Sequence, residues 1–339
     1  MIKLFEMFTG YGGASFSLKK AGIPFECVGY SEIDKYAIQC FQQNHIRYLD
    51  GYGKNFGDCR EINVDNLPDF DLLTGGFPCQ SFSQAGKMKG EVDSRGTLFQ
   101  EIIRIAEAKK PKYMLLENVK GLTCKRFKDT FDKILSELNR IGYNVYWKVL
   151  NSKDFGIPQS RARVWFVCFR KEIDKPLRFQ FPELTKLNLF VKDLLQEDVE
   201  EKYFLTEKVI KRLFDSSDLI KKFSIINPEI AIPEMARQYA NWKGNFIVAM
   251  RQKDNLVMNC IGTCFGRRGT SQEERDMYKK VLLSSGQLRR LTPKECFRLM
   301  GFLNDEINLD GLSDTQRYKL AGNGWEINLA SKILKEMFK

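Results

Sequence analysis

Residues 3–21 read KLFEMFTGYGGASFSLKKA, and this stretch decides the fold. Lys3 to Phe8 is an apolar, strand-like run, and Gly13 to Ala21 carries helical spacing. Between them, Phe8-Thr9-Gly10-Tyr11-Gly12-Gly13 places closely spaced glycines where a strand hands over to a helix. Such a loop lets backbone N–H groups approach a ligand at the helix N-terminus. A dinucleotide fingerprint would carry Gly or Ala where Ser15 stands, which argues against a nicotinamide oxidoreductase. Taken alone, the loop is equally readable as a plain tight turn.

The same alternation continues through the first half. Strands are expected at Cys27–Tyr30, Asp71–Thr74, Tyr113–Leu116 and Val164–Phe169. Helices are expected at Asp34–Asn44, Leu98–Ala108 and Phe127–Ile141. Strands alternating with helices imply an α/β fold, a mostly parallel Rossmann-like sheet covered on both faces. Ligands of such sheets bind at the carboxyl ends of the strands. After Phe169 the pattern weakens, with Pro176 and Pro182 at a boundary. The segments to about Leu288 are shorter and more basic, with Arg237, Arg251, Arg267, Arg268, Arg275, Arg289 and Arg290 in or near them. Helical spacing resumes at Thr292–Met300 and again from Trp325 to Met337.

Composition excludes several classes. A net charge of +11 on 339 residues favours a polyanionic partner. Nine cysteines without a paired framework read as reduced thiols of a cytoplasmic protein. No apolar run spans a bilayer, and the N-terminus lacks a signal-peptide layout. His45 is the only histidine, so His-based zinc sites are ruled out and His-assisted nucleophiles are disfavoured; it reads as a surface or internally satisfied residue. Cys260 and Cys264 lack a second ligand pair, so no metal is expected. The chain has no phosphate-binding lysine loop of the P-loop type.

Four further stretches carry chemistry. Gly75-Gly76-Phe77-Pro78-Cys79-Gln80-Ser81 puts a thiol on a loop just past a strand-like run. A buried structural cysteine is the alternative. Glu32 follows the second strand, where a carboxylate can accept from ribose hydroxyls, and Asp58 could accept from an adenine amino group. Glu117-Asn118-Val119 ends an apolar strand, where partial desolvation would raise a carboxyl pKa; capping of the next helix competes with that reading. Gln159-Ser160-Arg161-Ala162-Arg163 spaces two guanidinium groups for a carbonyl or a phosphate, or simply for solvent.

In this order, the motifs resemble the cytosine carbon-5 DNA methyltransferases of the bacterial and phage restriction-modification type. The glycine loop, Glu32, Asp58, the Gly76–Gln80 loop, Asp93–Leu98, Glu117–Val119, Gln159–Arg163, Arg290–Cys296 and Gly322-Asn323 all take part. The resemblance spans nearly everything outside roughly 180–285. It implies a catalytic domain at 1–178 plus 316–339 and a smaller, irregular target-recognition domain at 179–315. It makes Cys79 the nucleophile toward carbon 6 of a flipped cytosine. Glu117 would protonate nitrogen 3, Arg163 with Arg161 would grip the base, and Asn118 would order the loop. The S-adenosyl-methionine pocket would be lined by Phe8, Gly10, Tyr11, Gly12, Gly13, Glu32, Ile33, Asp58, Cys59, Gly76, Pro78, Leu98, Asn323 and Gly324. Gln80, Ser83, Arg95, Arg237, Arg251, Arg267 and Arg268 would meet double-stranded DNA. The chain departs from the family at two places. Gly324-Trp325-Glu326 stands where a small hydroxyl residue is usual after Gly-Asn, and Glu6 stands where Asp is usual.

A monomer suffices for this chemistry, and a restriction endonuclease of the same system is a possible partner. Transfer-RNA methylation by the same catalytic set is one alternative. A catalytically inactive DNA-binding regulator is another, disfavoured by the presence of Cys79, Glu117 and Arg163 together.

Overall fold

In a computed structural model, the described residues are 1–77, 97–173, 179–210, 224–233, 244–248 and 288–339. The first strand, β1 (Ile2–Met7), pairs in parallel with β2 (Phe25–Ser31) on one side and with β4 (Leu72–Gly76) on the other. A two-residue strand, β3 (Lys54–Asn55), closes the β2 edge, and β5 (Tyr113–Val119) runs parallel beside β4. Beyond β5 the direction reverses. β6 (Tyr143–Asn151) and β7 (Ala162–Arg170) form an antiparallel pair, and β7 lies between β5 and β6. The sheet order is therefore β3-β2-β1-β4-β5-β7-β6.

Local chemistry sets the element ends. Phe8 takes φ +56, so the strand expected to reach it stops at Met7. Helix α1 (Gly13–Ala21) ends on Gly22, whose left-handed φ of +71 lets its N–H reach Leu18 and Lys19 carbonyls. Helix α2 (Lys35–Tyr48) begins after Asp34, whose carboxylate accepts from Tyr36 N. Helices α3 (Thr97–Lys109) and α4 (Lys128–Arg140) follow, α4 burying Phe131, Ile134 and Leu138 at helical spacing. β6 was not expected from sequence; as an edge strand it leaves Trp147 44% exposed and shows no clean apolar run. The main core lies between the sheet and α3 and α4, with Leu73, Ile102, Met114, Leu116, Ile134 and Phe166 all at 1% exposure or less.

The chain divides into two compact units. The first comprises Met1–Asn151, Ala162–Leu184 and Gly324–Lys339. The second comprises Ser152–Arg161 and Thr185–Asn323; relative to the span 179–315 read from sequence it includes 152–161 and 316–323 and leaves 179–184 to the first. It contains the strands β8 (Ser224–Ile226), β9 (Gly244–Val248) and β10 (Leu288–Arg290), in the order β10-β9-β8. It also contains α5 (Pro293–Leu299), started by a Thr292–Glu295 capping box, and α6 (Asp314–Asn323). The last helix, α7 (Ile327–Met337), returns to the first unit.

Arg289, one of the arginines of the basic stretch, is 2% exposed, and its guanidinium grips Glu295 through two 2.8 Å contacts as a core ion pair of the second unit.

Phe166 is fully buried and packs on Phe131 at 5.6 Å between ring centres. Phe166→Ala should destabilise the first unit by about 3–5 kcal/mol, read as a lower urea midpoint at unchanged m-value.

Candidate active site

The carboxyl ends of β1, β2, β4 and β5 carry the site. Parallel register sets Gly76 beside Glu117, two residues before Pro78 and three before Cys79. On the antiparallel side, Glu117 pairs with Trp165 and Val119 with Arg163. Glu117 and Arg163 therefore share a sheet face as diagonal neighbours, within reach of long side chains. Arg163 Nε lies 2.9 Å from Glu117 Oε1, with both side chains largely buried. Asn118 turns its amide to Phe77, donating to the carbonyl at 2.9 Å, and its own Oδ1 accepts from Val119 N. That bond fixes the backbone immediately ahead of the Pro78–Cys79 loop.

Arg161 belongs to the second unit, where Nη2 donates to Gly322 O at 3.1 Å. Pro78, Cys79, Gln80, Ser83, Arg95, Arg237, Arg251, Arg267 and Arg268 lie outside the described residues.

The glycine loop is a cradle. Phe8, Gly10 and Gly12 all take positive φ, and a Cβ at Gly10 would stand in open space. Thr9 Oγ1 is buried without a partner. Glu32 closes the loop from β2: Oε2 accepts from Gly10 N at 3.0 Å, and Oε1 accepts from Ile33 N and Asp34 N at 2.9 Å. Ile33 beside it is 70% exposed. Asp58 accepts from Arg60 N and chelates the Arg60 guanidinium, which holds its carboxyl below the usual range. Cys59 is buried, and its carbonyl accepts from Arg104. Leu98 packs on the core at the start of α3, and Asn323 ends α6 in the second unit. An open backbone cradle, an orphaned hydroxyl and a rigid acceptor carboxylate fit a nucleoside with a diol.

The Gly324-Trp325-Glu326 departure has a structural account. Tyr11 is fully buried and donates its hydroxyl to Trp325 O. A Cβ on Gly324 would lie 2.0 Å from the Tyr11 ring, so a hydroxyl residue has no room there. The Trp325 ring wedges among Gly13, Gly76 and Trp165: a Cβ at Gly76 would meet Trp325 Nε1 at 2.8 Å, and Trp165 meets the ring edge-on at 5.0 Å. Glu326 caps α7, accepting from Asn328 N and Leu329 N. Sequence reasoning flagged this segment only as a mismatch.

Beneath the loop lies a second unforeseen cluster. Ser15 Oγ hydrogen-bonds Glu6 Oε1 and sits 3.0 Å from His45 Nε2, while His45 Nδ1 lies 2.8 Å from Phe41 O. Ser15 has one hydroxyl proton for two such contacts, so the chain holds one more, shared between Glu6 and His45. Burial pushes Glu6 up to about 7 and His45 down to about 4, which places that proton on the carboxyl. The lone histidine is internally satisfied and is not on the surface; its ring stacks on Phe41 directly under Gly12.

This strand–loop–helix site on a mostly parallel sheet defines a Rossmann-like methyltransferase fold. S. pombe Dnmt2 superposes with a TM-score of 0.75 over 99% of this chain and 98% of that one, at 22% identity. The family model for C-5 cytosine-specific DNA methylase matches residues 2–339. Type II methyltransferase M.HhaI of Haemophilus parahaemolyticus is 34% identical over 98% of this chain and 93% of its own. Type II methyltransferase M.NgoBI of Neisseria gonorrhoeae is 38% identical over 95% and 89%. The chain belongs to the C-5 cytosine-specific DNA methylases.

The Glu6–His45 pair predicts a hidden pH dependence. Unfolded, the shared proton sits on His45, whose ordinary pKa is 6.5, while Glu6 titrates at 4.5. Folded, one proton stays on the pair from pH 4 to 7, so both states carry one proton between 4.5 and 6.5, and stability is flat there. His45→Phe leaves only the raised Glu6, whose folded form binds a proton that the unfolded form lacks between 4.5 and 7. The variant should therefore lose stability as pH rises through that window, by at most ~1.4 kcal/mol per pH unit, in urea melts against pH. A flat profile in the variant would separate Glu6 from the relay.

Proposed function

We propose that the protein methylates carbon 5 of a cytosine in a short, specific duplex DNA sequence, as the modification half of a restriction-modification system. What carries the reading is the Glu117–Arg163 ion pair at the carboxyl end of β5, in register with the strand that leads into Cys79. The relatives' designation as Type II methyltransferases supports the restriction-modification role and a partner endonuclease of the same specificity. Among the described residues no helix is long and apolar enough to cross a membrane.

The chemistry assigns each residue a task. Carbon 5 of cytosine is a poor nucleophile, and inside a duplex it is out of reach, so the base is flipped out at a cost of a few kcal/mol. The Cys79 thiolate adds to carbon 6, forming the S–C6 bond. Glu117 delivers a proton to nitrogen 3, so the ring electrons gather at carbon 5 as an enamine. Arg163, held on Glu117 Oε1, keeps the carboxyl in place and faces the base carbonyl. S-adenosyl-methionine, when bound, supplies the electrophilic methyl that carbon 5 takes. Loss of the carbon-5 proton to solvent, expulsion of the Cys79 thiolate from carbon 6 and return of the nitrogen-3 proton to Glu117 restore the neutral ring. The Phe8–Gly13 loop, Thr9 and Glu32 would hold the cofactor, with Glu32 accepting from the ribose hydroxyls. The second unit would read base edges in the major groove.

Duplex DNA incubated with the protein and methyl-labelled cofactor should take up label at cytosine, and transfer RNA should not. Label in transfer RNA alone would replace this reading with the RNA one. Cys79→Ala should abolish transfer while retaining DNA binding. Glu117→Gln should lower kcat by about 10²–10⁴-fold with little change in DNA affinity. A Cys79→Ala protein that still methylates would remove Cys79 as nucleophile.

A further inference from the structure

Two residues after the Glu117-Asn118 strand end, the chain runs Lys120-Gly121-Leu122-Thr123-Cys124-Lys125-Arg126-Phe127-Lys128. It holds four cations and no acid. Lys120, Cys124, Lys125, Arg126 and Lys128 are all exposed. The segment is nevertheless fixed. Leu122 is fully buried in the main core. Cys124 N donates to Gly121 O at 3.1 Å, Phe127 N donates to Cys124 O at 2.8 Å, and Thr123 Oγ1 donates to Lys120 O. The cations thus project from a rigid turn beside the site.

What sets the segment apart is density, four exposed cations within nine residues that hold no acid; elsewhere in the unit several cations are matched one by one. Arg60 is matched by Asp58, Lys112 by Asp71, Arg140 by Glu107 and Glu137, and Arg170 by Glu172. Among the described residues, no carboxylate pairs with Lys120, Lys125, Arg126 or Lys128; Arg126 only lies over the Phe127 ring at 5.5 Å. The placement also works against α4, whose first residue is Lys128 and whose N-cap, Phe127, offers no side-chain acceptor. Cations at that end oppose the helix dipole. Asp129 is the one acid in that first turn, and an external polyanion would supply the counter-charge that the four cations lack.

We propose that Lys120, Lys125, Arg126 and Lys128 form a contact for the DNA sugar–phosphate backbone beside the base-binding site. This rests on the proposed DNA methylation and extends it to a surface of the catalytic unit, apart from the second unit. Phosphate contacts of this kind set position and affinity without reading sequence. The cluster would anchor the backbone near the flipped nucleotide, at the end of β5 that carries Glu117.

Cys124 offers a native probe, because Cys27, Cys40, Cys59, Cys168 and Cys296 are buried. The full-length protein is alkylated with a maleimide, with and without a mixed-sequence duplex of about 30 base pairs, and each cysteine is followed by peptide mass spectrometry. With duplex at about ten times its Kd, Cys124 alkylation should slow about tenfold, and high salt should restore it. The double variant Lys125→Gln/Arg126→Gln should bind the duplex more weakly, and the slope of log affinity against log salt should fall by about 2. Its sequence preference should stay as in the parent, because phosphate contacts do not read sequence. Lys171→Gln, beyond the opposite end of β5, should leave the slope unchanged. An unprotected Cys124, or an unchanged slope in a protein that still methylates DNA, would overturn the contact alone. A parent protein that methylates no duplex would instead overturn the function on which it rests. Protection by transfer RNA but not by duplex DNA would overturn it as well.

Discussion

Arg163 reaches Glu117 because β7 runs antiparallel to β5. In a fully parallel sheet, the start of one strand and the end of its neighbour lie at opposite rims. Reversal of β7 brings its first residues to the carboxyl rim, where Glu117 and Gly76 already stand. The pair is then set by register and not by loop conformation, so its geometry is as firm as the core beneath it. That core is dry: Leu116, Val164 and Phe166 are all fully buried. An ion pair at the rim of such a core is shielded from water on one side, which strengthens the attraction and demands good geometry. The Nε–Oε1 contact at 2.9 Å meets the demand, and Oε2 lies on the Gly76 side.

Trp325 extends the same constraint to the cofactor side. Its ring occupies space that side chains at Gly13 and Gly76 would need, and its carbonyl accepts from Tyr11. Three glycines far apart in sequence are thereby committed at once. Gly13 admits the indole at the start of α1, Gly76 admits it at the end of β4, and Gly324 admits the Tyr11 ring. The glycine loop and the strand feeding Cys79 are braced against one wedge. Below the loop, Glu6, Ser15 and His45 supply a polar floor whose one shared proton keeps every buried group uncharged. Glu6, one methylene longer than the usual Asp, reaches Ser15 N and Oγ from β1.

The sequence made the parallel half of the sheet legible, because buried strands such as Leu72–Gly76 and Tyr113–Val119 are short apolar runs between turn signals. It concealed β6, whose Tyr143–Asn151 mixes exposed Lys148 and Trp147 with half-buried neighbours, as an edge strand does. It also concealed α6, a polar helix in which few residues are buried. Motif order singled out Glu117 and Arg163, but their contact follows from strand register, which the sequence does not print. Charge counting could not separate Arg289 from the other arginines of the basic stretch, because a bidentate buried partner six residues away leaves no periodic trace. His45 and Trp325 were visible as a singleton and a mismatch, but what each touches depends on residues 30 to 314 positions distant.

These features divide the work of binding a duplex. Register-fixed groups can align a base within tenths of an ångström but add little affinity, since most protein–DNA attraction comes from neutralised phosphates. Specificity requires contacts to base edges, and these contribute only once the backbone is seated. A rigid, acid-free turn beginning two residues beyond Asn118 couples the two demands at short range. Leu122 ties its cations to the same core that holds β5, so a phosphate seated there is indexed to Glu117 without an intervening flexible loop. Under the proposed function, the catalytic unit would fix where the flipped nucleotide's backbone lies, and the second unit would select the sequence.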